Sequence, residues 1–359
     1  MFDKPTEKKT NIFSNVGGNK NFLKKIILAV FVVGIILTGF IFGWGKTEIT
    51  TQKTIIDGWE FPREEGKHSN FKFEGWYFAG HLEEEGNPEN KFGVTLAFDK
   101  DQLTNQLIRV NLVDGVQKKN FSSKIEIDQY DLLSEKKLAI KKDENYWLEE
   151  ELFKYKIHFQ FDNNEIDLSL DSLKPPLLRY NITDAFYYQQ TRVKTVGKLS
   201  FSGKEYKVKG WGWIDHLGLN QVTFTFLPAG WRWYAIQLDN NTEIVSTHFD
   251  PRLGMRILKK PALFLYNKDA QLEIIEGNRY SIDDIDYWVD PETNHEYPVR
   301  SRLEIPDKNI NLEITAITKN QVIREIQKTF LYEGSCLVTG LFDGQNITGR
   351  AQLEVIHPR

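Results

Sequence analysis

Apolar and polar residues alternate with a period of two in many short runs of this chain after residue 50. The clearest runs are residues 92–98, 155–161, 166–170 and 312–316. Such alternation gives a strand one apolar face for a core and one polar face. Helical spacing is rare, and a short stretch near residues 320–328 is the one helix candidate after residue 50. The pattern predicts an all-β fold.

Residues typical of turns separate the alternating runs. They are Gly86-Asn87-Pro88, Asp162-Asn163-Asn164, Lys174-Pro175-Pro176, Asp239-Asn240-Asn241 and Phe342-Asp343-Gly344. Many short strands divided in this way favour a sandwich or a barrel. The chain is too long for a single hydrophobic core, so we expect two β domains, residues 57–228 and 229–359. No internal repeat is visible in the sequence.

The segment from Ile26 to Trp44 contains no charged residue and is long enough to cross a membrane as a helix. Lysines precede it, so the positive-inside rule places residues 1–25 in the cytoplasm and the β domains outside, after a linker at 45–56. A cleaved signal peptide would end in small residues, whereas residues 38–42 are bulky. We therefore expect a single-pass anchor in a bacterial inner membrane.

Charge and cysteine content exclude several classes of partner. The net charge is −4 with no basic stripe, so no nucleic-acid partner is expected. Cys336 is the only cysteine, which excludes an intrachain disulfide and a thiolate metal cage. The seven histidines show no close pair in the sequence, and common nucleotide, metalloprotease and hydrolase motifs are missing. We expect neither a metal nor a cofactor.

Aromatic residues are abundant, with 24 Phe, 14 Tyr and 9 Trp. They suit either a pleated, half-buried sheet surface or a stacking surface for a flat or polyene ligand. A first cluster spans residues 73–81, where Trp76 and Tyr77 must face opposite sides of a strand. Glu74 shares the face of Trp76, where an aromatic wall would raise its pKa; pairing with an arginine is the alternative.

A second cluster spans residues 210–216, and on a strand it places Trp211, Trp213 and Asp215 on one face, with Gly212 allowing close backbone approach. A carboxylic acid between indole rings stays protonated and can deliver a proton to an apolar substrate, whose cation the rings stabilise. The alternative is a buried Asp215 that accepts backbone N–H bonds. His216, on the other face, is expected to make a structural hydrogen bond.

A third aromatic cluster, at residues 231–238, places Trp231 and Trp233 together on one face of a strand. Arg232 lies on the other face of this strand, and its candidate ion-pair partners are Glu74 and Asp215.

These clusters, in this order, resemble the lipocalin-like family that joins carotenoid 1,2-hydratase (hydroxyneurosporene synthase) with AttH-type proteins. The matching segments include Glu74-Gly75-Trp76-Tyr77 and Trp213-Ile214-Asp215-His216. The others are residues 59–68, 80–82, 187–188, 191–192, 231–234, 297–300, 303–306, 332–334 and 349–354. The resemblance covers nearly all of residues 57–357.

The resemblance implies two adjoining lipocalin-like β-barrel or sandwich domains with a cavity for an apolar isoprenoid or polyene. It also implies cofactor-free hydration of a terminal C=C bond, with Asp215 as the acid and Trp213 beside it. The remaining candidate ligand-binding residues are Glu74, Trp76, Tyr77, Trp211, Trp231 and Trp233.

The chain departs from the family pattern at two places. Gly75 stands where the family usually has a tryptophan after the glutamate. Leu217-Gly218 stand where another tryptophan commonly follows the Asp–His pair. Both changes reshape the pocket, so the substrate can differ. Two other functions remain open: a non-catalytic lipid or isoprenoid carrier, and a cofactor-free isomerase or cyclase.

Overall fold

The computed structural model of the protein describes residues 55–101, 106–127, 134–182, 185–220, 231–249, 262–326 and 329–358. Regular structure in these residues is almost entirely β, which confirms the predicted all-β class. Two short 3-10 helices are described, at Arg63–Glu65 and Pro306–Lys308. The helix suggested near residues 320–328 is wrong: Val322–Ile326 is a strand. Its β-branched residues favour pairing in a sheet.

Two curled antiparallel sheets make up the fold. A short pair, β1 (Ile55–Ile56) and β2 (Trp59–Glu60), precedes them. The first sheet contains β3 (Phe73–Glu84), β4 (Asn87–Asp101), β5 (Gln106–Asp114), β6 (Lys119–Ile127), β7 (Ala139–Lys142), β8 (Asn145–Glu151), β9 (Lys154–Phe161), β10 (Asn164–Ser172), β11 (Leu177–Ile182), β12 (Ala185–Phe201) and β13 (Lys204–Leu219). Its strand order is β6-β5-β4-β3-β13-β12-β10-β9-β8-β7, and β11 pairs with β12.

The second sheet repeats this plan. It contains β14 (Trp231–Leu238), β15 (Glu243–Phe249), β16 (Ala262–Tyr266), β17 (Leu272–Glu276), β18 (Ser281–Val289), β19 (Glu296–Ile305), β20 (Ile310–Ala316), β21 (Val322–Ile326), β22 (Thr329–Phe342) and β23 (Gln345–Pro358). Its strand order is β17-β16-β15-β14-β23-β22-β20-β19-β18, and β21 pairs with β22. Strands β3–β6 form a four-stranded meander in the first sheet, and β14–β17 do so in the second. The first strand of each meander pairs with the last strand of its half: β3 with β13, and β14 with β23. The structure therefore shows a duplication that the sequence hides.

The predicted alternation and turns position the strands. In β9, β10 and β20 buried and more exposed residues alternate, as the sequence pattern requires. Asp162 turns the chain between β9 and β10 with a φ of +51°, and Asp343 and Gly344 turn it between β22 and β23. In the second of these turns both central residues have a positive φ, which suits a two-residue hairpin turn. Each sheet curls around its own apolar core.

The two sheets pack against each other through β3, β4 and β13 of the first and β14, β22 and β23 of the second. We call this contact the seam. Residues 92–98 of β4 are all buried, because the second sheet covers the face that would otherwise meet water. At Gly93 a Cβ atom would lie 2.6 Å from the Cβ of Ser335, so only glycine permits this approach. The seam therefore brings side chains from both halves together.

The predicted anchor at 26–44, the tail before it and most of the linker lie outside the described residues, as does the predicted boundary at 228/229. Among the residues that the structure covers, no helix is long and apolar enough to cross a membrane.

Candidate active site

The register of β3 and β13 decides which predicted residues meet. Asp215 lies opposite Tyr77, Trp213 opposite Ala79, and Trp211 opposite His81. Directly opposed residues of an antiparallel pair project to the same face of the sheet. For these pairs that face is the seam. The prediction that Trp211, Trp213 and Asp215 share a face agrees with this register.

The Asp215 carboxyl is buried and held by three side-chain donors. Trp213 Nε1 donates to Oδ1 at 2.6 Å, Gln189 Nε2 donates to Oδ1 at 3.1 Å, and the Tyr187 hydroxyl lies 2.9 Å from Oδ2. All three contacts come from side chains, whereas the alternative prediction was an Asp215 that accepts backbone N–H bonds. The carboxyl is oriented by an indole, an amide and a phenol.

Burial raises the pKa of Asp215 to about 7, against the opposing effect of the hydrogen bonds from Trp213, Tyr187 and Gln189. Both donors to Oδ1 are N–H groups, which cannot accept a proton in return. In the neutral acid the proton therefore resides on Oδ2, where the Tyr187 hydroxyl can accept it. Gln189 also donates to that hydroxyl at 2.7 Å and fixes its position. The arrangement is a neutral acid with a defined proton position.

The second sheet supplies the opposite wall of the site. The Trp233 ring makes edge-to-face contacts with Trp213 and with Tyr77, each at a centroid distance of 5.9 Å. The Tyr77 hydroxyl donates to Glu333 Oε2 at 2.7 Å. Asp215 is 7% exposed and Tyr77 is half-buried, so the carboxyl lies just beneath the surface of the seam. The site is built from both halves of the chain.

Glu333 is a second buried carboxyl of the seam. Gln352 Nε2 donates to the same Oε2 atom at 2.7 Å. Burial, reinforced by the charge of Glu354, raises the pKa of Glu333 to about 8. Two carboxyls with raised pKa values thus lie on either side of Tyr77, an arrangement typical of sites that transfer protons.

Glu74 and Trp76 project to the opposite face of β3, into the interior of the first sheet. Trp76 is fully buried, stacks on His216 at 4.4 Å and donates from Nε1 to the backbone oxygen of Glu65 at 2.9 Å. The structure therefore does not bring these two predicted ligand-binding residues together with Asp215. Period-two alternation separates them from Tyr77, and the curl of the sheet turns their face into the core.

Glu74 is surrounded by hydrogen-bond donors from two histidines and a lysine. Its Oε1 atom lies 2.8 Å from His68 Nδ1 and 3.1 Å from His216 Nε2, and Lys100 Nζ lies 3.5 Å from Oε2. Burial by itself would raise the pKa of Glu74, but the histidine hydrogen bonds outweigh it and the pKa is lowered. The predicted rise and the alternative of an arginine partner are both wrong. The structural hydrogen bonding predicted for His216 is confirmed.

The remaining predicted residues are dispersed. Arg232 pairs with Asp284 within the second sheet, so its proposed pairing with Glu74 or Asp215 is wrong. Trp211 lies under the Arg192 guanidinium, 5.2 Å from its ring centroid. The side chain of Trp231 lies outside the described residues.

Trp211 also lines a cleft of about 590 Å³ between the two sheets, together with His81, Lys194, Ser335 and Arg350. Asp215 is not among the residues that line this cleft. The aromatic residues predicted to bind one ligand thus lie at three separate places: Trp76 inside the first sheet, Trp213 with its neighbours at the seam, and Trp211 in the cleft.

Three residues of the site were not predicted: Tyr187, Gln189 and Glu333. Tyr187 and Gln189 lie two apart on β12, and Gln189 pairs directly with Asp215. Alternation along β12 places them on one face, but only the register shows that this face meets Asp215. Glu333 is 256 residues from Tyr77, and its only sequence signal is its place in a family motif.

An all-β protein of two curled, lipocalin-like sheets with a buried acid at their contact is the class that this fold and site define. The chain belongs to the AttH-like family, whose sequence model matches residues 53–356. No curated protein sequence matches the chain.

Solved structures share the fold at low sequence identity. A protein from Nitrosomonas europaea assigned to AttH is 19% identical, with a TM-score of 0.68 over 86% of this chain and 99% of that one. Kievitone hydratase from Nectria haematococca is 14% identical, with a TM-score of 0.66 over 82% and 91%. CghA, solved with Sch210972, is 13% identical, with a TM-score of 0.55 over 81% and 90%.

Proposed function

We propose that this protein is a cofactor-free hydratase that adds water across a C=C bond of an apolar small molecule. The observation that carries the proposal is the buried Asp215 carboxyl, held in a fixed orientation by Trp213, whose ring contacts Trp233 at the seam. A neutral carboxyl in an aromatic surrounding suits proton delivery to a substrate that offers no charged group. Membership of the AttH-like family and the shared fold of a hydratase support it.

In the proposed reaction, Asp215 gives the proton on Oδ2 to one carbon of the double bond. The π electrons form the new C–H bond and leave a cation on the other carbon. Trp213 and Trp233, whose rings meet edge to face, stabilise this cation by cation–π attraction. A water molecule then forms the C–O bond, and the proton that it loses returns to the Asp215 carboxylate. The net change is alkene plus water to alcohol.

Tyr187 positions the acid and connects it to the surface of the site. Its hydroxyl lies 2.9 Å from Oδ2 of Asp215, and its ring is half-buried. Because the hydroxyl can accept and donate, it can pass a proton between Asp215 and a bound water molecule. Tyr187 is therefore the residue beside which the attacking water would be held.

We propose further that the substrate is an acyclic carotenoid or a related isoprenoid with a terminal double bond. Protonation of a terminal isoprenoid double bond gives a tertiary cation. Because this cation is comparatively stable, a weaker acid is sufficient to form it. We also propose that residues 26–44 anchor the protein in a bacterial inner membrane with the two sheets outside the cytoplasm. An anchor would hold the seam near the bilayer, into which such substrates partition.

The test uses the full-length protein in detergent, with an acyclic carotenoid in water labelled with heavy oxygen. The expected product gains the mass of one labelled water. Asp215→Asn is expected to lower the rate by about 10²–10⁴-fold, the usual contribution of a general acid. Exposed Asp167→Asn is the matched control and should keep full activity. Full activity of Asp215→Asn would refute the role of Asp215, and a product of unchanged mass would indicate an isomerase or cyclase.

A lipid or isoprenoid carrier is the second candidate, because the cleft beside Trp211 is separate from Asp215. A carrier would retain its ligand through purification and return it unchanged. Trp211→Ala would then reduce the amount of co-purified lipid measured by mass spectrometry, while Asp215→Asn would not. The opposite pattern would place the ligand at the seam.

A further inference from the structure

Three potential metal ligands meet in the interior of the first sheet, on the face of β3 and β13 opposite Asp215. The ligand atoms of His68, Glu74 and His216 all lie within 4.8 Å of one another. Glu74 Oε1 lies 2.8 Å from His68 Nδ1 and 3.1 Å from His216 Nε2. The two histidines are far apart in the sequence, and the fold brings them together.

The other nitrogen of each histidine faces an oxygen of Glu64. His68 Nε2 lies 3.1 Å from the Glu64 carboxylate, and His216 Nδ1 lies 2.9 Å from the Glu64 backbone oxygen, with the Tyr188 hydroxyl 3.2 Å away. Carboxylate and carbonyl oxygens only accept, so each of these nitrogens carries a hydrogen. Because the Glu74 carboxylate also only accepts, a hydrogen that a facing ring nitrogen donates to it must leave when a metal takes the lone pair of that nitrogen. Metal-binding histidines are oriented in the same way by outer oxygens.

We propose that His68, Glu74 and His216 bind a divalent transition metal, with Zn²⁺ as the best match. Two imidazole nitrogens and one carboxylate oxygen are a known zinc ligand set, completed by a water molecule. Glu74 and His216 are fully buried, while the His68 side chain is 12% exposed and marks the side on which that water would sit. The carboxylates of Glu74 and Glu64 offset the charge of the metal.

The ammonium group of Lys100 opposes a metal in this cluster by its charge. Its Nζ lies 3.5 Å from Glu74 Oε2 and also contacts the backbone oxygens of His68 and Phe71. These contacts hold the ammonium group beside Oε2, whereas both imidazole nitrogens face Oε1, which also accepts from the His68 backbone N–H at 2.9 Å.

The site would fasten the segment after the first 3-10 helix to β3 and β13. His68 follows that helix, whereas Glu74 and His216 lie in the paired strands. The site lies on the other face of the sheet from Asp215 and is independent of the proposed hydration. Its role is structural: a bound metal would raise the unfolding temperature without touching the substrate.

The experiment uses the full-length protein in detergent after treatment with a chelator. Calorimetric titration with Zn²⁺ is expected to show one saturable site and a raised unfolding temperature. Co²⁺, as a coloured substitute, is expected to give the visible spectrum of a tetrahedral N/O site, a measurement that needs no variant. A wild-type protein with no saturable Zn²⁺ binding would overturn the proposal and leave the cluster an ion-pair network.

Variants separate this site from surface binding. His68→Asn should abolish Zn²⁺ binding, and Glu64→Ala should weaken it by about 10–100-fold, as expected for loss of a group that orients a ligand. The matched control is His158→Asn, which alters a second, more exposed group of His158, Glu165 and Asp167. It should leave binding unchanged. Zn²⁺ binding that survives in His68→Asn, or is lost in His158→Asn, would refute the site.

Discussion

Replacing Asp215 by asparagine should change the pH dependence of folding stability in a direction fixed by the site. Burial raises the pKa of this carboxyl from 3.8 to about 7, so the folded protein binds the proton more tightly than the unfolded chain does. A raised acid pKa gives stability that is fully present below the unfolded pKa and is lost as the pH rises through the folded pKa. Asparagine mimics the neutral acid at every pH.

The size of the effect follows from the two pKa values. They differ by about three, and a difference of one in pKa corresponds to about 1.4 kcal/mol. The wild-type protein should therefore lose about 4 kcal/mol of unfolding free energy through this group between pH 4 and pH 8. The amide of the variant can accept from Trp213 and Gln189 and donate to Tyr187. At low pH the two proteins should differ by only about 1 kcal/mol, the usual net value of a hydrogen bond.

Urea unfolding of both proteins at several pH values, followed by tryptophan fluorescence, measures the difference. Asp215→Asn should become the more stable protein above about pH 5, and its advantage should level off near pH 7. Exposed Asp167→Asn should follow the wild type throughout. Parallel stability curves for Asp215→Asn and the wild type would refute the argument, because they would show that Asp215 is ionised in the folded protein without a cost.

Two further substitutions test the packing of the sheets. Glu243→Ala removes the carboxylate that Arg192 and Lys174 contact from the first sheet, each at 2.6 Å. Two buried cations would be left unpaired, and chemical unfolding should show a loss of about 3–5 kcal/mol. Gly212→Ala would place a Cβ atom 2.5 Å from a ring carbon of Phe78, and calorimetry should show a loss of about 1–3 kcal/mol from overpacking.

Each of these substitutions has a matched control. Glu151→Ala breaks an exposed pair with Lys154 and should leave the unfolding free energy nearly unchanged, because water and salt screen such pairs. Gly75→Ala meets only ordinary contacts, at 3.5 Å or more, and should be tolerated. Equal losses for Glu243→Ala and Glu151→Ala would contradict the burial of the Glu243 cluster. A neutral Gly212→Ala would show that Phe78 can move aside.

The sequence predicted the parts of the site that one strand determines. Trp213 and Asp215 are two residues apart, so they share a face in any strand, and their hydrogen bond follows from that spacing. The same rule separates Tyr77 from Trp76. It could not show which face of β3 meets the second sheet, so Trp76 and Tyr77, from opposite faces, were both predicted to bind the ligand.

Contacts between distant strands were beyond the sequence. His216 meets Glu74 across 142 residues, and Tyr77 meets Glu333 across 256. Strand register and the packing of the two sheets decide such pairs, and neither leaves a periodic pattern in the chain. The pKa of Glu74 could not be predicted for the same reason, since its sign depends on two histidines brought in by the fold.

The sequence by itself determined the β class, the turns, the family and the face on which Asp215 lies, because these depend on local spacing and on motif order. The tertiary structure alone decided that Asp215 is buried between two halves of a duplicated fold, and that Glu74 belongs to a histidine cluster behind it. The physical reason is that burial and charge environment are set by whatever packs against a residue. In a two-sheet protein, that neighbour comes from far along the chain.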